Sequence, residues 1–106
     1  MTPTQVRAIV EAEIDGDWSQ SNWHHVDLRK CVIHPREVVC RNTFPRLNGG
    51  KPLRLWIVLE ECPGTKDGYV IVFDEQQHVF GLANWDGDTP VFIGHYGTFM
   101  NTLQGM

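Results

Sequence analysis

Five histidines and three cysteines are the side chains of this 106-residue sequence best suited to chemistry. A zinc site gathers such ligands at short, regular spacings. Here His24 and His25 are adjacent, and adjacent residues of an extended segment point to opposite sides. His34, His78, His95 and Cys62 stand alone in the chain, and Cys31, Cys40 and Cys62 show no C-x-x-C spacing. No metal and no cofactor are expected. The run Asn84-Trp85-Asp86-Gly87-Asp88 places oxygens at alternate positions, as a calcium loop does. Its glycine comes fourth rather than sixth, however, and the twelfth place holds His95 instead of a glutamate. Asp86-Gly87 reads better as a hairpin turn.

Nucleophiles are as sparse. Ser19 and Ser21 lie in a polar stretch with no elbow pattern around them. Cys62, at a strand end before Pro63-Gly64, is the most accessible thiol, and it would need His78 or His95 brought beside it in space. Gly49-Gly50-Lys51 lacks the spacing of a phosphate-binding loop. These readings lean away from an enzyme and towards a binding surface.

Charge says what such a surface would bind. Residues 1–53 hold seven Lys/Arg against six Asp/Glu, whereas residues 54–106 hold two against seven. A nucleic acid needs cations for its phosphates, so the acidic half argues against one. It favours a basic protein. Trp85 beside Asp86 and Asp88, with Glu60 and Glu61 at a neighbouring strand end, forms the candidate partner-binding set. Aromatic anchors ringed by charge suit protein recognition. An immunity-type protein that neutralises a basic toxin is one concrete form. The alternative is a small-molecule pocket between helix and sheet, lined by Trp18, Trp23, Trp56 and Tyr69. A homodimer through the sheet face around Trp56 and Val58 is a further expectation.

The elements that position these residues follow from periodicity. Thr2, Pro3 and Gln5 form a capping box opening a helix over 3–15, with Val6, Ile9, Val10 and Ile14 on one face and Gly16 as its stop. Glu13 falls inside that apolar stripe. The polar stretch 17–25 reads as a loop holding Trp18 and Trp23, which either tuck under the helix, as their size favours, or show an aromatic surface. Strands are expected at 26–33 and 38–44, joined by a turn at Pro35 that sets Cys31 opposite Cys40 and Ile33 opposite Val38. After a glycine- and proline-marked break at 44–52, the strongest alternation runs from Leu53 to Glu61. Strands 69–73 and 78–85 follow. A turn centred on Glu75-Gln76 pairs Ile71 with Phe80 and Tyr69 with Leu82. Both faces of this pair are apolar, so both must be covered. The Asp86-Gly87 turn leads to strand 89–93, with Phe92 beside Gly81 and Pro90 marking an edge. Thr98 caps a short helix to Gln104.

The chain is thus expected to be a single α+β domain spanning 1–106. Its N-terminal helix packs on a five- to six-stranded antiparallel meander sheet, and a short helix closes the C-terminus. With 42% hydrophobic and 21% charged residues, no apolar run of membrane-spanning length and no leader-like start, no membrane and a cytoplasmic location are expected. Unpaired cysteines fit a reducing compartment.

Overall fold

The computed structural model describes residues 1–106. Helix α1 spans Pro3–Ile14, and both halves of the Thr2/Gln5 capping box are formed. Its apolar stripe buries Val6, Val10 and Ile14, and Asp15 (φ 54°) and Gly16 (φ 79°) end it in left-handed backbone. After the loop, Leu28–Cys31 forms a single helical turn, α2, capped by Asp27. Five strands follow: β1 Val32–Asn42, β2 Leu53–Cys62, β3 Asp67–Asp74, β4 Val79–Asp86 and β5 Thr89–Gly97. Helix α3, Phe99–Gly105, is capped by the Thr98 side chain. The architecture is α+β, with an antiparallel meander between an N-terminal and a C-terminal helix. No helix is long and apolar enough to cross a membrane.

The meander also closes on itself. Consecutive strands pair antiparallel, and β1 pairs with β5 in parallel through Arg41 with Val91 and Asn42 with Phe92. The parallel seam follows from the odd strand number: in a five-stranded up-and-down walk the first and last strands run the same way. Pro90 therefore does not mark an open edge. It lies opposite Trp85, one residue before the seam begins.

Closure gives the sheet two insides. Cys40, Leu53, Leu55, Ile57, Val70, Val72, Ala83 and Phe92 fill the barrel. The outer face of β2–β4 carries Trp56, Val58, Ile71, Phe73, Phe80 and Leu82 beneath α1 and α3, against Val10, Phe99 and Leu103. The apolar character of both faces thus has its reason. A dimer through Trp56 and Val58 does not: these side chains are 4% and 0% exposed, covered by the chain's own helices.

Three expected registers are corrected. The Pro35 turn is absent, and β1 runs straight through His34–Glu37, pairing with β2 from Val32–Leu59 to Cys40–Leu53. The ladder shifts between Val32 and Arg36, and that irregularity accommodates a proline lacking an N–H. Cys31 and Cys40 consequently do not face each other, since one lies in the helix-side core and the other inside the barrel. The β3–β4 turn is two residues longer than expected, because the Asp74 carboxylate accepts from the Gln76 and Gln77 amides and His78 adopts φ 52°. Ile71 therefore meets Leu82 and Phe73 meets Phe80. A slip of two leaves every side chain on its expected face. In the last hairpin the loop residues are Gly87-Asp88, so Phe92 pairs with Ala83. Its ring still reaches over Gly81, where a Cβ would lie 3.1 Å from Phe92 Cε1 and 2.4 Å from the Gly94 carbonyl oxygen.

Candidate functional site

Loop 17–27 leaves α1 and wraps the end of the sheet where the β2–β3 turn lies. Its backbone is held by side chains of its own. Asn22 Oδ1 accepts from the amides of His24 (3.0 Å) and Val26 (3.2 Å), while Asn22 Nδ2 donates to the Leu103 carbonyl of α3 at 2.9 Å. Ser21 Oγ donates to the Val26 carbonyl at 2.7 Å, and Gln104 Nε2 to the Ser21 carbonyl at 2.7 Å. Gln20 Nε2 donates to the carbonyls of Ile14 and Asp17. At the centre of this network Trp23 stands 87% exposed, beside a shallow groove of about 370 Å³ formed with Ser21, Asn22, His25 and Gln104. An ordered backbone thus presents an uncovered indole.

Trp18 behaves differently. It is half-buried against the helix-side core, with the Arg7 guanidinium 5.4 Å from its ring centroid. Trp56 lies in that core and donates its indole N–H to Glu75 at 3.1 Å. Tyr69 is half-buried on β3, edge-on to His24. The four aromatics expected to line one pocket are therefore spread over a groove, a core and two surfaces. No major cavity is lined by more than one of them.

His24 joins the loop to the acidic end of the sheet by pairing with Glu61. Glu61 also accepts from the Tyr69 amide at 3.0 Å. Burial pushes its carboxyl up, but the Tyr69 N–H and the His24 ring outweigh this and hold it below the ordinary range. One strand position earlier, Glu60 is 3% exposed, bound by Arg36 at 2.5 Å and by the Gly64 amide at 2.9 Å. It braces the β2–β3 turn and offers nothing to a partner. Asp86 and Asp88 do reach the surface, paired with Arg41 (2.6 Å) and Lys66 (3.1 Å). The Lys66–Asp88 bridge joins the β2–β3 and β4–β5 turns into one rim. Trp85, expected at the tip of that rim, is half-buried against the barrel core.

The thiols are not poised for catalysis. Burial pushes Cys40 up to about 12. Cys62 is raised by desolvation and by the Glu61 and Asp67 carboxylates. It also sits at the opposite end of β3 from His78, which stacks edge-on to Phe73, and from the Asp74 that holds His95. All three cysteines are free. Ser19 Oγ donates to the Asp17 carboxylate and Ser21 Oγ to a carbonyl, and neither hydroxyl is hydrogen-bonded to a histidine. No three His, Cys, Asp or Glu side chains are grouped to hold a metal ion.

Glu13, the carboxylate within the apolar stripe of α1, has a clear role. Its Oε1 accepts from the Phe99 amide at 2.9 Å, satisfying a free N–H in the first turn of α3. Its wheel position aims it at the neighbouring helix. The wheel revealed the conflict but had no way to show that a helix N-terminus would lie opposite.

Comparison of the chain with family models, with curated proteins and with solved structures finds no match.

Proposed function

We propose that this chain is a non-enzymatic protein-binding module that engages a basic protein through the face built from loop 17–27 and the acidic rim beside it. The exposure of Trp23 on a pre-braced loop carries the reading. Tryptophan is enriched among the residues that dominate interface energy, because it brings a large apolar area with few rotatable bonds. A loop already fixed by hydrogen bonds loses little further entropy when a partner covers it. At the end of α1, on the loop and on the rim, Asp15, Asp17, Asp67 and Asp88 are exposed. Such charges chiefly raise the rate of encounter with a basic surface. The neutralisation of a basic toxin by an immunity-type protein is one role that needs no more than this.

The test is capture from a lysate of the source cells by immobilised protein, read by mass spectrometry. A basic partner should be retained at about 0.05 M salt and released near 0.5 M, where surface charges are screened. It should be lost on Trp23→Ala and weakened by Asp86→Asn with Asp88→Asn. A partner held equally by Trp23→Ala, or held independently of salt, would overturn the reading.

A further inference from the structure

A second site lies at the other end of the barrel, where the β1–β2 connection crosses its mouth. Phe44, Arg46, Leu47, Phe92, Gly94 and His95 line a cleft of about 360 Å³. The loop is shaped in advance by Asn42. Its Nδ2 donates to the carbonyls of Leu47 (2.7 Å) and Lys51 (3.0 Å), and its Oδ1 accepts from the Phe44 amide at 2.9 Å. Phe44 is 40% exposed, edge-on to Phe92 at 6.0 Å between centroids, and Phe92 is edge-on to His95 at 5.1 Å. The three rings therefore form one continuous aromatic surface in the cleft.

Its polar groups are few and distinct. His95 Nε2 contacts Asp74 Oδ2 at 3.0 Å, which fixes the ring and leaves Nδ1 as its remaining polar atom. The Asp74 charge is already met from within by His95 and by the Gln76 and Gln77 amides. Arg46 differs from every other arginine of the chain. Arg7, Arg36, Arg41 and Arg54 each face a carboxylate, and Arg29 donates to the Trp18 carbonyl. The Arg46 guanidinium has neither an ion pair nor a hydrogen bond, and it lines the cleft whose base is the adjoining rings of Phe44 and Phe92.

We infer that this mouth binds a small organic carboxylate with an apolar or aromatic body. Arg46 takes the carboxylate by its two-pronged donor geometry. Phe44 and Leu47, with the edge of Phe92 beneath them, support the body on one side, and His95 is the fixed polar group beside it. The cleft volume suits a ligand of modest size. The site is independent of the Trp23 face, so either proposal stands if the other fails.

The probe is 3-phenylpropionate, titrated into the 15N-labelled protein and followed by amide chemical shifts. Shifts should be confined to residues 44–47 and 92–95. Arg46→Gln should weaken binding about tenfold, as loss of one charge-assisted contact does. Phe44→Ala should weaken it about fivefold. Arg46 is exposed and unpaired, so Arg46→Gln should leave the thermal midpoint unchanged. The neutral 3-phenylpropanol should bind at least about tenfold more weakly than the acid. The inference is overturned by an absence of shifts at these residues, by equal affinity of Arg46→Gln, or by equal affinity of the alcohol. It is also overturned if inorganic phosphate binds as tightly as the carboxylate, which would mark a general anion site.

Discussion

Trp56 and Trp23 mark two regions that handle the same side chain in opposite ways. On the helix-covered face of the barrel, Trp56 is 4% exposed and its indole N–H is bonded to Glu75. On loop 17–27, Trp23 is 87% exposed, although the backbone that follows it is held by the Asn22 side chain. In the first region the backbone is held by what the side chains bury. In the second it is held by Ser21, Asn22, Gln20 and Gln104, and the apolar side chain is left over. What marks a binding surface in this chain is a large apolar group whose neighbourhood is ordered without it. Trp85 lacks that mark, because it packs against the barrel core, and the acidic rim adds charge beside the anchor without an apolar group of its own.

Substitutions that exchange the two behaviours would break this contrast. The largest effect is expected on the covered face: Trp56→Ala should lower the unfolding free energy by about 3–5 kcal/mol, measured by urea denaturation. Gly81→Ala should cost about 1–3 kcal/mol, because a Cβ 2.4 Å from the Gly94 carbonyl forces β5 away from β4. A stability equal to wild type would mean that the strands are not so closely apposed. Asn22→Ala removes four side-chain hydrogen bonds and should cost about 2 kcal/mol. Its particular signature is faster hydrogen exchange across 21–26 with the barrel strands unchanged.

Glu61 has the opposite pH signature to a buried, unpaired acid. Its folded carboxyl lies below the ordinary value, so its contribution is complete above the unfolded value of about 4.3 and fades as pH falls through the folded one. The stability gap between wild type and Glu61→Gln should therefore close as pH is lowered below about 4. A gap that is constant from neutral to acid pH would show that ionisation of Glu61 does not matter. The smallest effect belongs to Trp23→Ala, which should change stability by no more than about 0.5 kcal/mol. A larger loss would return Trp23 to the core and end the contrast.

The local signals in the sequence and the long-range ones fared differently. The α1 capping box, the Thr98 cap, the β2 alternation and the two apolar faces of β3 and β4 are all readable, because each is set by residues within a few positions of one another. The β3–β4 register reads on the right faces but two residues off, since the Asp74 side chain that lengthens the turn acts outside any dipeptide rule. Pro35 misled because a proline suits both a turn and an irregular strand. The choice was made by β2, more than 20 residues away. Barrel closure was illegible for the same reason, as it rests on two residue pairs between the first strand and the last.

At the candidate site, the aromatic character of loop 17–25 was visible, whereas the exposure of Trp23 was not. Size alone favours burial, and the braces that replace burial come from Asn22 and from Gln104 in α3. The acidic residues were visible as composition. Their pairing was not, because Arg36 reaches Glu60, Arg41 reaches Asp86 and Lys66 reaches Asp88 only in the folded chain.

Photocrosslinking tests the central claim most directly. p-Benzoylphenylalanine is placed at position 25, which shares the groove with Trp23, and, separately, at position 85, and each protein is irradiated in lysate at low salt. A single basic protein should be crosslinked from position 25, disappear at high salt and be much weaker from position 85. An adduct from position 85 with none from position 25, or no salt-sensitive adduct from either, would contradict the account.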